Sequence, residues 1–568
     1  MSVRGRNAAV SKSLSFAIAA SLACCQAAQA APLPAELPSD GSDARRLLQD
    51  SERRFDQLIQ QQRMRQLNSG GSNLEAEPAP QLDEGRCLPV SGVRLAGISL
   101  LSREDVEALG LPRGECLDTA ELNRFSRALT ALYLRHGFIA ARVGASGPDA
   151  AGVLTLRVRE GRVAAIRGDE GAPRPGNLFP GMLGKPLNVH DLDQGLDQAN
   201  RLRSNKVTVD VEPGASAGES VLRLRNQPSA RLSGALTLDN AGRDTTGRMQ
   251  AGASLSWDNP FGWSDLLNLS AQATTQRQEI RHSRSESLFY SLPYGYWTFS
   301  AFASHADYLI PSTLASGLTA QLSGTTQQHG LRLDRVLSRD QDHVLTMDAQ
   351  LTQKRVRNFF QDAKFSNSSP NLTVLELGVS QLWVQPGGLL QLDGSMQRGV
   401  GWLGADEPDR AHPGAPDPRF SKLRLGLNWY RGLALPGGPY QLQLSGSGQA
   451  SRDELPGVER LDIADSSAVR GFRNNALVSE TGWYWRNTLS RHFQAGGWSL
   501  TPRVGVDGGR VLQRDAAETW QDIAGVSAGM ALARGGLSLD LDYSRPLRKP
   551  QGWAAEGHIL FARLNWQW

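Results

Sequence analysis

From about Ser229 onward, apolar and polar residues alternate with a period of two. Leu236 and Leu238 alternate with Thr237 and Asp239. Ala251, Ala253, Leu255 and Trp257 alternate with Gly252, Ser254, Ser256 and Asp258, and Leu267, Leu269, Ala271 and Ala273 with Asn268, Ser270 and Gln272. Successive strand side chains point to opposite faces, so each segment has one apolar face and one polar face. Apolar outside and wet inside is the pattern of a strand barrel in lipid. Asp258-Asn259-Pro260-Phe261-Gly262 reads as a tight turn between two such strands. About 340 residues follow residue 228. At roughly 20 residues per strand and connection they make about sixteen or seventeen strands, and closed bacterial barrels usually have an even number. Sixteen is therefore expected, with room for a water-filled channel. In the last segment Leu560, Ala562, Leu564, Trp566 and Trp568 share one face, against Arg563, Asn565 and Gln567. Two tryptophans on one face suit a headgroup interface.

The first 228 residues follow other periods. Residues 42–67 read as a helix that Asp43 can cap, rich in Arg and Gln, with a broken stripe of Leu48, Phe55, Leu58, Ile59 and Leu67. It is either a solvated leader or a plug in a polar lumen. Residues 68–82, rich in Gly, Ser, Asn, Glu and Pro, are a flexible tether. Residues 83–160 give strand, helix, helix, strand, strand. Val90 to Leu100 is β-like, Ser102 to Leu109 helical, and Asp118 with Glu121 forms a capping-box pattern. Leu122, Phe125, Leu129 and Leu132 then recur on one helix face, which Gly137 ends. Phe138 to Val143 and Val153 to Val158 read as strands. Residues 161–228 repeat the layout, with strands at Val163–Ile166, Val207–Val211 and Ser220–Leu224. Asn188 and Asp191 open a helix bearing Leu192, Leu196 and Ala199.

Composition narrows the setting. Residues 1–30 read as an export signal: Arg4, Arg6 and Lys12, an apolar run Leu14–Ala23, then Ala28-Gln29-Ala30. A lipoprotein reading through Cys24 or Cys25 competes, though neither lies in a well-formed box. No segment offers about eighteen apolar residues in a row, so a membrane location requires a barrel. The formal charge of +4 falls near neutral once the signal leaves, which gives no case for nucleic acid. Cys87 and Cys116 remain and can pair in an oxidising periplasm, closing a loop worth about 3–4 kcal/mol in the chain-entropy model. A metal reading needs further nearby ligands, and none is arranged as a recognisable site.

Leu238-Asp239-Asn240-Ala241-Gly242 with Thr246-Gly247, Asp258–Gly262, Pro293-Tyr294-Gly295-Tyr296-Trp297, Arg398-Gly399, Val469-Arg470-Gly471-Phe472 and the terminal Leu564-Asn565-Trp566-Gln567-Trp568 follow one another along the chain. In them the chain resembles the TpsB branch of the Omp85 superfamily, over nearly the whole mature length. The resemblance implies a mainly β protein: a plug helix within 31–67, two periplasmic α/β POTRA modules (83–160 and 161–228) and a sixteen-stranded outer-membrane barrel (229–568). It implies that the tetrad tips a long extracellular loop folded into the lumen. Arg470 would pair there with Asp507 of Gly505-Val506-Asp507-Gly508-Gly509, Gly471 would allow a close turn, and Phe472 would pack on the wall. The aromatic often found two places before the acid is Gly505 here, which weakens the expected packing but not the charge pair. Leu564, Trp566 and Trp568 resemble the signal read by the barrel assembly machinery.

The implied function is translocation of a large unfolded TpsA-type exoprotein, bound through its N-terminal secretion domain, by a transporter that works as a monomer in outer-membrane lipid. Strand addition to a POTRA sheet edge is the expected mode of contact. An Omp85-type insertase is the nearest alternative, although such proteins commonly carry more POTRA modules and no leader helix. A passive porin explains the alternation but not the modules. An enzyme finds little support: His190, His282, His305, His329, His343 and His558 are scattered, with no His-Glu-x-x-His or Gly-x-Ser-x-Gly arrangement. No catalytic, cofactor-binding or metal residues are nominated.

Overall fold

The computed structural model describes residues 42–67, 87–112, 116–313, 319–340, 342–409, 411–412, 415–514, 518–554 and 556–568. The expected export signal and the tether lie outside these residues. No described helix is long and apolar enough to cross a membrane. Sixteen long antiparallel strands, from Leu232–Asp239 to Ile559–Gln567, close into a barrel. The register keeps like faces together. Leu255 stands opposite Leu269, and Leu269 opposite Leu288. The outside therefore carries large exposed apolar side chains such as Leu236, Leu255, Leu269, Leu288 and Phe299. In water that surface is a hazard; in a bilayer it is the favourable one. Slipping one strand by a residue would turn its leucines into the lumen.

The seam joins the last strand to the first, with Arg563 opposite Asp239 and Gln567 opposite Ala235. Arg563 Nε donates to Asp239 at 3.2 Å. The Asn240 carboxamide donates to the Leu560 carbonyl at 2.9 Å and accepts from Ala562 N at 2.8 Å. Trp566 and Trp568 stand outside, half exposed, with ring centroids 5.1 Å apart.

Each periplasmic module is a three-stranded sheet backed by helices. In the first, Val153–Arg159 lies between Gly92–Ala96, which runs parallel to it, and antiparallel Arg142–Ser146. The helix Thr119–Arg135 starts where the Asp118 side chain accepts from Ala120 N, and it buries Phe125, Leu129 and Tyr133 against Val143, Leu156 and Val158. Cys87 and Cys116 are disulfide-bonded, their Cα atoms 5.5 Å apart. The second module orders its strands Arg162–Gly168, Glu219–Asn226, Val207–Pro213, under the helix Val189–Asn200 capped by Asn188.

Several local expectations need correction. The strand expected over Val90–Leu100 spans only Gly92–Ala96, because Gly97 turns at φ +81° and Ser99 N and Leu100 N then donate to Glu160. The strand expected at Phe138 begins at Arg142, since Ile139 and Ala140 pack into the second module's core. Asp258–Gly262 is not a tight turn but part of a wider connection, 259–265. Asp265 organises it by accepting from Phe261 N at 3.4 Å and Trp263 N at 3.2 Å. Pro293–Trp297 is not one strand but a hairpin turning at Gly295, φ +57°. Asp43 lies inside the first helical turn rather than before it.

Candidate functional site

The second module docks on connections 259–265 and 295–296, where Asn177 donates to the Trp263 carbonyl at 2.6 Å and Tyr296 donates to Asp191 at 2.6 Å, which marks that end of the barrel as periplasmic. The connection 452–480 leaves from the opposite end and folds inward. Its tip is fixed by Arg470, whose Nε and Nη2 each lie 2.6 Å from an Asp507 carboxylate oxygen. The Arg470 backbone N–H donates to the same carboxylate at 3.1 Å, and Nη2 also donates to the Asn487 carbonyl at 2.7 Å. Arg470 is 5% exposed and Asp507 0%. Such a pair orients its parts strongly, and losing one partner leaves a buried charge, a cost of about 3–5 kcal/mol.

The glycines around this pair are spaces for other groups. A Cβ on Gly505 would stand 2.7 Å from Arg470 Cζ, so the position that lacks the family's aromatic is filled by the guanidinium. Gly471, at φ +104°, lies so near the Arg545 carbonyl that a Cβ would approach it to 2.7 Å, and one on Gly509 would meet Ile463 Cδ1 at 3.1 Å. Val469 and Phe472 are fully buried with Ile463, Leu477, Val511 and Ile523. Phe472 also meets Trp553 edge-on at 5.9 Å, and Glu556 accepts from Arg473 N and Asn475 N, both at 2.7 Å. The loop therefore grips both the wall and the last extracellular connection.

The helix Ser42–Leu67 lies inside the barrel. Near its outer end Arg45 donates to the Gly457 carbonyl at 3.1 Å and Arg46 pairs with Asp465 at 2.7 Å, with Arg53 3.7 Å from the same carboxylate. Glu52 pairs with wall residue Lys354 at 2.6 Å. Lys354 also meets Glu459 of the loop at 2.6 Å, and Glu459 meets Lys422 at 2.7 Å. Toward the periplasm Arg54 donates to Ser285, Arg63 pairs with Asp334 at 3.1 Å, and Gln62 donates to Ser291 Oγ at 3.1 Å. Two apolar anchors interrupt this polar contact. Leu47 and Leu48 sit among Tyr308, Ile310, Val356, Phe420 and Leu455, and Phe55 packs tilted against Phe302, ring centroids 4.8 Å apart, beside Leu202 of the second module. About 510 Å³ of space remains between the helix and a wall bearing Arg332, Glu376 and Arg424.

The second module seats on the mouth through its helix. Gln194 and Gln198 both donate to the Gly295 carbonyl at 3.0 Å. Arg201, buried, donates to the Ser264 carbonyl at 3.0 Å, the Ser291 carbonyl at 2.8 Å and Ser291 Oγ at 3.1 Å. Asp197 pairs with Arg339, and Ser204 N donates to Asp258 at 2.7 Å.

The structure thus brings Arg470 to Asp507 and Cys87 to Cys116, and places Leu564, Trp566 and Trp568 on the outer face beside the seam. Sequence reasoning passed over Glu52, Lys354, Lys422, Glu459 and Asp465. The only signal was small: Lys354 and Lys422 are lumen-side lysines in a chain that otherwise prefers arginine. Among the described residues, no three His, Cys, Asp or Glu side chains gather as a metal site.

Barrel, inward loop, lumenal helix and paired modules define an outer-membrane β-barrel with periplasmic POTRA domains. Family models agree: a ShlB-type POTRA domain matches residues 88–161, a further POTRA domain matches 162–213, and the haemolysin secretion/activation protein family (ShlB/FhaC/HecB) matches 218–532. The chain belongs to that last family. It is 43% identical to the hemolysin transporter protein ShlB of Serratia marcescens over 520 residues, 91% of each chain. It is 31% identical to the outer membrane transporter CdiB of Escherichia coli over 523 residues, 88% of this chain and 86% of that one. The solved structure of CdiB from Escherichia coli superposes with a TM-score of 0.83 at 28% identity, covering 95% of this chain and all of that one.

Proposed function

We propose that this chain carries an unfolded exoprotein of two-partner secretion from the periplasm to the cell surface, through a lumen that its own N-terminal helix vacates. The observation that carries this reading is the mode of plugging. The helix occupies the channel, yet ion pairs and hydrogen bonds to wall and loop hold it along much of its length, with two short apolar anchors between them. Water can replace such partners when the helix leaves, which an extensive apolar seam would not allow. The printed names of the relatives, hemolysin transporter and outer membrane transporter, support the same class. The exoprotein's N-terminal secretion domain engages the POTRA modules, the chain passes in extended form, and folding outside supplies the drive. The barrel assembly machinery inserts the protein through its terminal strand, and one chain suffices for transport.

A cross-link tests this. Ser51 Oγ lies 3.4 Å from Gln328 Oε1 across the helix–wall contact. In the double variant Ser51→Cys/Gln328→Cys, oxidation is expected to stop release of a co-expressed two-partner exoprotein, and reductant to restore it. Unchanged release from fully cross-linked barrels would rule out the vacated lumen.

A further inference from the structure

The two POTRA modules present the same sheet face to solvent, but the arginines on their central strands are paired differently. In the second module every arginine on the outer face of the central strand has a carboxylate. Arg223 pairs with Glu212 at 2.8 Å and with Asp169 at 3.1 Å, and Arg225 pairs with Asp210 at 2.6 Å. In the first module Arg157 and Arg159 occupy the central strand's outer face, Arg142 stands directly opposite Arg159, and Arg94 lies opposite Thr155 on the flanking strand. Arg94, Arg157 and Arg159 are exposed and make no ion pair among the described residues. Arg142 donates to the Ile139 and Ala141 carbonyls at 3.0 and 3.1 Å. Asp149 is the carboxylate whose charge reaches Arg94, and it is engaged by Ala151 N at 2.9 Å and Val153 N at 3.0 Å.

With Arg142 held by its own partners, Arg94, Arg157 and Arg159 are the guanidinium groups that this face leaves exposed without a carboxylate among the described residues. The floor between the guanidinium groups is low: Gly92, Ala96, Gly144 and Thr155. A flat floor ringed by planar forks fits an extended main chain whose side chains end in carboxylates. We propose that this face of the first module binds an acidic segment of the transported polypeptide, an assignment that rests on the transport reading above. The second module offers less: Arg223 and Arg225 are neutralised, and on that face Arg167, opposite Arg223, is left exposed without an ion pair among the described residues.

The test uses the full-length protein in zwitterionic detergent with a fluorescent oligoglutamate peptide as probe. Arg157→Gln/Arg159→Gln is expected to weaken peptide binding by about tenfold at low salt, and added salt to narrow the gap. Arg223→Gln/Arg225→Gln is expected to stay within about twofold of the parent. Equal binding by the parent and Arg157→Gln/Arg159→Gln would overturn the proposal. So would binding to phosphatidylglycerol vesicles that depends on these arginines but is not displaced by the peptide, which would make the face a lipid contact. Exoprotein release, followed in parallel, is expected to fall in Arg157→Gln/Arg159→Gln. Normal release despite lost peptide binding removes the assignment to the transported chain and leaves transport intact. Failure of the parent itself to release any exoprotein would sink the transport reading instead.

Discussion

Two segments share the lumen, and they are held in different ways. The loop 452–480 is fixed at its tip by a fully buried bidentate pair, by an apolar cluster around Phe472 and by three backbone N–H groups donated to Glu556. The helix 42–67 is held by dispersed polar contacts and by short apolar anchors at Leu47–Leu48 and Phe55. Where contacts are buried, apolar and geometrically paired, removal is costly. Where they are dispersed and polar, water can take each partner's place once the segment leaves. The loop behaves as part of the wall, and the helix as an occupant. The loop carboxylates Asp465 and Glu459 link the two, since each neutralises a cation shared with, or donated by, the helix.

The largest effect should come from Arg470→Ala. It leaves Asp507 buried and unpaired, at a cost of about 3–5 kcal/mol. Heat-modifiable mobility on gels should show a barrel that still inserts, while exoprotein release drops severely. Normal release would make the loop as dispensable as the occupant. Phe55→Ala comes next: it removes the aromatic anchor at the periplasmic end, about 3 kcal/mol if the site does not collapse. Open-channel events in planar bilayers should become more frequent. Asp465→Asn removes the carboxylate serving Arg46 and Arg53, about 2 kcal/mol, and should raise channel opening less than Phe55→Ala does. If it instead abolishes release as Arg470→Ala does, the division between wall and occupant fails. The smallest effect lies outside the lumen. Burial alone would push the Glu160 carboxyl up, but the Ser99 hydroxyl and N–H, the Tyr133 hydroxyl and Leu100 N–H hold it below the usual carboxylate range. A depressed acid stabilises the fold above its unfolded value near about pH 4.3 and loses that contribution as pH falls through the folded value. Glu160→Gln should therefore cost about 1 kcal/mol at neutral pH and flatten the acid side of the profile. Hydrogen exchange over 99–160 would show this with the lumen untouched.

Alternation made the barrel legible, because lipid on one side and water on the other impose a period of two on every strand. Where the chain answers to a neighbour instead, local pattern misleads. Ile139 and Ala140 look like strand but serve the joint between modules, and Pro293–Trp297 looks continuous until Gly295 turns it toward Gln194 and Gln198. Arg470 and Asp507 stand 37 positions apart, and no periodicity nominates them; only the resemblance does. Glu459, Asp465 and Lys354 carried neither kind of signal. Their meaning depends on a helix more than 280 residues away in sequence, and long-range charge pairing leaves no local trace.

Ser291 sits where three parts of the molecule meet. Its hydroxyl is shared by Gln62 of the helix and Arg201 of the second module, yet Arg201 also holds two carbonyls that owe nothing to Gln62. Withdrawing the helix therefore takes Gln62 from the hub and leaves Arg201 on its two carbonyls. Under the proposed transport, the gate could then swing while its hinge-post stayed bolted and the second module kept its aim on the opening.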